Sequence, residues 1–239
     1  MMRVRALHNR WVGAGLTAVA AVALLALTAA PVFADPAATS WTVDPKSKTV
    51  TYGEAVLLSG TLKSGATTIP GLWVDLGQGT TAVGSFEIIY KITTPQASGT
   101  ARYEVAVIPH KTVYYLFRWG GDATYAASDS DVIPVQVMPA LGAPTNGTSI
   151  TVGKKLTVKG SVTPGAPGGP AVKIKAYRKK GDGSWTGYRT YAGKVSGTQY
   201  SQSVTIARTG KFKFKAVSVA GTEYAAGQSG FGRVLTVKQ

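Results

Sequence analysis

From Asp35 onward the chain has no sustained recurrence of apolar residues at i, i+3, i+4 and i+7, the spacing of an amphipathic helix. Its apolar residues come instead in short alternating or β-branched runs, broken by Gly, Pro, Ser and Asp. A period of two sends successive side chains to opposite faces of a strand. The pattern predicts an all-β fold of the sandwich or barrel type. In the first half it predicts strands over residues 49–52, 55–61, 72–76, 86–92, 101–107, 112–119 and 132–138, after a looser Trp41-Thr42-Val43. Gly53, Gly60, Pro70-Gly71, Pro95, Ser98-Gly99 and Pro109 supply the turns and chain stops between them.

The second half repeats this plan. Val50-Thr51-Tyr52-Gly53 returns as Ile150-Thr151-Val152-Gly153, and Leu57-Leu58-Ser59-Gly60-Thr61 as Thr157-Val158-Lys159-Gly160-Ser161. Arg118-Trp119-Gly120-Gly121-Asp122-Ala123-Thr124-Tyr125-Ala126-Ala127-Ser128 returns as Val219-Ala220-Gly221-Thr222-Glu223-Tyr224-Ala225-Ala226-Gly227-Gln228-Ser229, with the shared Tyr-Ala-Ala 99 positions apart. A period near 100 is too long for a solenoid repeat and suits a self-sufficient sandwich. Two tandem domains are expected, over residues 35–140 and 141–239. The prolines of residues 139–144 make a short, semi-stiff connector, with the domains end to end like beads. The repeated phrase reads as a turn plus a tyrosine that closes each sandwich between its last two long strands.

These residues resemble a known family. Val-Thr-Tyr-Gly at 50–53, Leu-Ser-Gly-Thr-Leu at 58–62, Tyr-Tyr-Leu-Phe-Arg-Trp-Gly-Gly-Asp-Ala-Thr-Tyr-Ala-Ala-Ser at 114–128 and Val-Gln-Val at 135–137 look like the bacterial immunoglobulin-like repeats of secreted actinobacterial surface proteins. The second half departs from the pattern at Gly221-Thr222-Glu223, where the Asp is lost. The resemblance implies an immunoglobulin-like sandwich used as a spacer, adhesive or binding module. It implies no activity.

Charge and composition add compartment and partner. Arg3, Arg5 and Arg10, an apolar run over residues 11–30 and Val32-Phe33-Ala34 predict a signal peptide over residues 1–34, cleaved before Asp35. The product is expected to be secreted and cell-wall associated, with no transmembrane anchor after cleavage. The C-terminal Thr236-Val237-Lys238-Gln239 resembles no sorting signal. The absence of cysteine rules out disulfides and thiolate chemistry. Residues 35–140 carry 7 basic and 9 acidic side chains, whereas residues 141–239 carry 16 basic and 2 acidic ones. Such asymmetry points to an anionic partner for the second half.

Catalysis finds little to work with. His110 is the one histidine after residue 34, beside Pro109 in a predicted turn. There is no Gly-x-Ser-x-Gly elbow, and a zinc site would need three or four His, Cys or carboxylate ligands. No enzyme activity and no cofactor is expected. Asp122, Asp129 and Asp131 lie close enough in sequence to supply part of a calcium shell, although their spacing matches no EF-hand. The stronger signal is lysine. In Lys211-Phe212-Lys213-Phe214-Lys215 the phenylalanines face the core and the lysines face out, and Val172-Lys173-Ile174-Lys175-Ala176 behaves alike. In an immunoglobulin-like sandwich these are strands F and C, adjacent in one sheet. Lys173, Lys175, Lys211, Lys213 and Lys215 then share one outer face, extended by Arg178, Lys179 and Lys180. The partner expected there is an anionic cell-wall polymer or another polyanion. Two alternatives remain open. One is a protein-binding adhesin or spacer module. The other is a glycan-binding module in which Trp185, Tyr188 and Tyr191 stack on sugar rings.

Overall fold

The computed structural model describes residues 34–94 and 101–239. The leader expected over residues 1–34 lies outside them but for Ala34, as do the turn residues Pro95 and Ser98-Gly99. Among the described residues there is no helix, and hence none long and apolar enough to cross a membrane.

The strands of the first half, among these residues, are β1 (Ser40–Asp44), β2 (Lys48–Thr51), β3 (Val56–Ser64), β4 (Thr67–Thr68), β5 (Trp73–Gly79), β6 (Glu87–Thr93), β7 (Arg102–Val107), β8 (Val113–Trp119), β9 (Ser128–Asp129) and β10 (Ile133–Met138). Those of the second are β11 (Ala140–Leu141), β12 (Ser149–Thr151), β13 (Lys155–Thr163), β14 (Val172–Lys179), β15 (Trp185–Ala192), β16 (Lys194–Ser196), β17 (Gln199–Thr205), β18 (Gly210–Ser218), β19 (Gln228–Phe231) and β20 (Leu235–Lys238). In the first half β3 joins β1, β4 and β7 in one sheet, and β2-β10-β8-β5-β6 with β9 forms the other. The second half has the sheets β11-β13-β17-β16 and β12-β20-β18-β14-β15 with β19. In each, the short second strand pairs parallel to the last one, β2 with β10 and β12 with β20. One sheet built on β1, β3 and β7, opposed by one built on β5, β8 and β10, is the immunoglobulin-like sandwich, and β13 and β17 opposed by β14, β18 and β20 repeat it. The chain is therefore all-β with two such sandwiches in tandem.

Each sandwich has its own core, set by period-two alternation. Val74, Leu76, Tyr115, Phe117, Ile133 and Val135 are sealed in the first, and Ile174, Phe212, Phe214, Tyr200, Val158 and Leu235 in the second. No disulfide ties the sheets. In the first sandwich Trp41 does so instead, stacked on Phe117 at 5.6 Å between centroids and edge-on to Tyr103 at 5.7 Å. Gly60 makes this possible, because a Cβ there would stand 3.0 Å from Phe117 and 3.1 Å from Trp41. Burial is also recorded in the phenols. It pushes the Tyr115 hydroxyl up to about 12, aided by the neighbouring Tyr90, and burial alone takes Tyr200 up to about 12. Tyr200 donates to the Gly142 carbonyl at 2.8 Å.

A folded-state value above the unfolded one means that the native state holds its protons longer. The associated stability is complete below the unfolded pKa near 10 and is lost as pH climbs toward about 12. The expected result is a fall in denaturation midpoint between about pH 10 and pH 12, worth roughly 2 kcal/mol per tyrosine. Tyr200→Phe removes that tyrosine's own contribution to the slope. Denaturant melts across this pH range, followed by circular dichroism, provide the check.

The junction is not a bare connector. Ala140 and Leu141, expected in a connector, pair with Thr163 and Val162 and form the first strand of the second sandwich. The Thr112 amide donates to the Glu223 carbonyl at 2.7 Å, the Ala225 amide donates to the Val137 carbonyl at 2.9 Å, and Lys111 stands 3.8 Å from the Glu223 carboxylate. Tyr224, expected to close its own sandwich, packs against the core of the first one. The corresponding contact of the first copy is internal to the first sandwich. There the Ala126 amide donates to the Ala37 carbonyl at 2.9 Å, and Tyr125 packs on the core beneath it. Each copy of the repeated phrase thus clamps the segment that enters its sandwich, and in the second copy that segment belongs to the first sandwich.

Candidate anion-binding face

Strands β14 and β18 are neighbours with the register Lys173↔Val217, Lys175↔Lys215, Ala176↔Phe214, Tyr177↔Lys213 and Arg178↔Phe212. Directly opposed residues point to the same face. Ala176, Phe214 and Phe212 are buried, so Lys173, Lys175, Lys211, Lys213 and Lys215 lie together on the outer face. Lys175 and Lys215 stand directly opposite each other, an arrangement that destabilises an uncompensated pair. Lys179, exposed at the end of β14, is opposite Trp185, and Lys180 follows in the turn closed by its amide donating to the Ser184 carbonyl at 2.8 Å. Among the described residues no carboxylate lies within 4.0 Å of any of these lysines; the ion pairs join Arg102, Arg118 and Lys111 to acids instead.

Arg178 departs from the expected set. Its partner across the ladder is the sealed Phe212, so its side chain leaves the sheet on the core side, at the end of the sandwich. There one guanidinium nitrogen donates to the Thr209 carbonyl at 3.3 Å, and its Nε is buried without a partner. The parity of Val172, Ile174 and Ala176 already contains this result, since 178 is the next even position.

The aromatic trio also divides. Tyr188 packs edge-on against Phe212 at 5.1 Å, where β15 bulges, and Tyr191 lies opposite the buried Ile174 with its hydroxyl 3.4 Å from the Thr205 carbonyl. Both cover the margin of the core, and burial raises the Tyr191 phenol above its ordinary value. Trp185 alone belongs to the outer face, and it is not an open platform. The Lys213 ammonium lies 4.4 Å from its ring centroid and 3.5 Å from that of Phe231, with Lys215 5.1 Å from Phe231. Tyr177 meets Phe231 edge-on at 5.3 Å. Tyr177 and Phe231 are absent from the residues picked out in the sequence. Position 177 could have been read from the alternation, whereas Phe231 faces Lys215 only through the short, irregular pairing of β19 with β18. Aromatic faces attract cations without cancelling their charge, unlike carboxylates. The rings therefore hold two lysines in place and leave the face positive.

The first sandwich serves as a control on the same scaffold. The two align through a shared hydrogen bond, the Ser130 hydroxyl accepting from the Phe117 amide and the Ser229 hydroxyl from the Ala216 amide. On that alignment Lys173 corresponds to Asp75, which is opposite both Lys91 and Arg118. Arg118 in turn grips Asp129 with two bonds of 2.8 Å, and that contact lowers the Asp129 carboxyl and raises the guanidinium. Lys175 and Lys215 correspond to Gly77 and Leu116. Phe86 lies across that position, its Cβ 2.9 Å from where a Cβ on Gly77 would stand. One sandwich thus neutralises and covers its outer face, and the other charges it.

The aspartates considered for calcium are committed elsewhere. Asp122 accepts from the Thr124 and Tyr125 amides at 2.7 and 2.8 Å, and Asp129 holds Arg118. With Asp131 they do not converge, and among the described residues no three His, Cys, Asp or Glu side chains gather in a metal-binding group. His110 packs beside Tyr52 with ring centroids 5.4 Å apart.

No known protein family matches this chain, and no curated protein does. Among solved structures, a chimeric titin Z1Z2-Z1Z2 tandem functionalised with a GRGDS exogenous peptide from fibronectin is similar over 81% of this chain and 96% of its own, at 13% identity and a TM-score of 0.27. At that score the likeness carries no argument, and the assignment to the immunoglobulin-like fold rests on strand order and register.

Proposed function

We propose that this is a secreted, non-catalytic module of a bacterial surface, in which the second sandwich holds an anionic cell-envelope polymer against its lysine face and the first acts as a spacer. One contrast carries the reading. The outer-face positions that are Asp75, Gly77 and Leu116 in the first sandwich are Lys173, Lys175 and Lys215 in the second, with no acid nearby. Surface lysine that served solubility alone would be expected in both halves. A cross-strand lysine pair costs the free protein stability, and a polyanion offsets that cost on binding. Side chains two apart on a strand are separated by about 6.7 Å and neighbouring strands by about 4.8 Å, so the face is a flat lattice of positive charge. The signal segment read over residues 1–34 supports the extracellular setting.

Binding of this kind releases counterions and is steeply salt-dependent. The isolated full chain, mixed with purified cell wall, is expected to bind at about 50 mM salt and to elute near 1 M, where screening reaches about 3 Å. Walls stripped of their anionic polymers should not retain it. Retention at high salt, or equal retention by stripped walls, would sink the electrostatic reading. A protein-binding role has one specific observation behind it, the exposure of Trp73, Ile88 and Tyr90 on β5 and the edge strand β6 of the first sandwich.

A further inference from the structure

The loop of the second sandwich that clamps the first also walls a cleft. It has a volume of about 610 Å3, within the range of small-ligand sites. One wall is the outer side of the first sandwich, with Tyr114, Gln136 and Thr112, and the other is the loop with Gly221, Thr222 and Tyr224. Thr80 and Thr81 close one side. None of the lining residues carries a charge, although the neighbouring surface holds Lys111 and Glu223. The walls are fixed to each other by the Thr112–Glu223 and Ala225–Val137 backbone bonds and by Tyr224 packed on the first core.

The sequence departure in the repeated phrase falls at this cleft. Asp122 of the first copy corresponds to Gly221 of the second, and both amides make the same bond, to Tyr125 and to Tyr224 respectively, at 2.9 Å. In the first copy the Asp122 carboxylate caps two further amides, a local arrangement that favours the turn. The second copy gives this up. Its backbone has no need of glycine, since Gly221 is not among the residues of positive φ, and a Cβ there would meet nothing within 4 Å. What glycine does provide is an open, uncharged mouth.

We infer that this cleft binds a neutral, hydroxyl-rich ligand, a short run of uncharged sugar units. The Thr80, Thr222 and Tyr114 hydroxyls and the Gln136 amide offer donors and acceptors to such a ligand, the Thr81 and Thr112 hydroxyls being engaged by the Val83 carbonyl and the Val137 amide, and the Tyr114 and Tyr224 rings offer apolar faces to its C–H surfaces. Because both sandwiches contribute a wall, the occupied cleft also stiffens the junction. The site is separate from the lysine face and from its polyanion.

The experiment is calorimetric titration of the full chain with neutral tetrasaccharides of N-acetylglucosamine, mannose and galactose. At least one should bind at about millimolar affinity or better. Gly221→Asp restores the first copy's residue and its cap, so its thermal midpoint should not fall, while its affinity drops about tenfold or more. Tyr114→Ala, on the opposite wall, should weaken the same ligand, and Lys215→Glu should leave it unchanged. The inference is overturned if none of the three sugars gives heat, or if a sugar binds with an affinity that neither Gly221→Asp nor Tyr114→Ala reduces.

Discussion

Lys215→Glu is expected to make the protein more stable and to remove most of the polyanion binding proposed for the lysine face. The two effects share one cause. Lys215 is directly opposite Lys175 with no acid in reach, so a carboxylate at 215 turns a repulsive cross-strand pair into an attractive one. Cross-strand charge pairs of this kind are worth about 0.2–1 kcal/mol. The substitution forfeits the weaker contact of Lys215 with Phe231, at 5.1 Å, but leaves Lys213 between its two rings. It also subtracts two charges from the centre of the face, and each lost phosphate contact lowers the slope of log affinity against log salt by about 1. The double variant Lys175→Glu/Lys215→Glu restores like-charge repulsion, now negative, and should lose the stability gain while binding least of all. Thermal melts at low salt and polymer binding across a salt series measure both quantities. If binding fell only in parallel with stability, the lysines would be acting through the fold.

The lysine face was legible because it needs only the period of a strand and one topological rule. Alternating Lys and Phe over 211–215 fixes the outward set, and the immunoglobulin-like strand order places β18 beside β14. Arg178 shows the danger of reading charge by proximity in sequence, since its parity sends it inward. Phe231 and Tyr224 were illegible for another reason. Phe231 reaches Lys215 across a broken ladder, and Tyr224 leaves its own sandwich for its neighbour's core. Neither destination is written in local periodicity. The loss of Asp at 221 was visible in the sequence, yet its meaning depends on which surface the loop walls.

The largest loss of stability is expected from Phe117→Ala, and its pattern tests the clamp. Phe117 is fully buried, stacked on Trp41, and its amide is tied to Ser130. Truncating such a ring costs about 3–5 kcal/mol, because both the transfer free energy and the cavity count. In the second sandwich Phe214→Ala removes an equally buried ring at the same approximate cost. If the sandwiches were independent, each substitution would shift one of two unfolding transitions and leave the other in place. The shared contacts predict an asymmetry. Loosening the first core takes away the seat of Tyr224 and strains the Ala225–Val137 and Thr112–Glu223 bonds, but these lie in one loop, outside the second sandwich's own core. Phe117→Ala should therefore separate the two transitions widely, with the second sandwich moving little. Phe214→Ala should lower the first transition measurably, since an unfolded second sandwich withdraws the ring and the bonds that close the first. Tyr224→Ala isolates that contribution and should reproduce the drop in the first transition without lowering the second. Scanning calorimetry on the three variants resolves the transitions. Equal and independent shifts from Phe117→Ala and Phe214→Ala, with none from Tyr224→Ala, would show that the loop touches the first sandwich without supporting it.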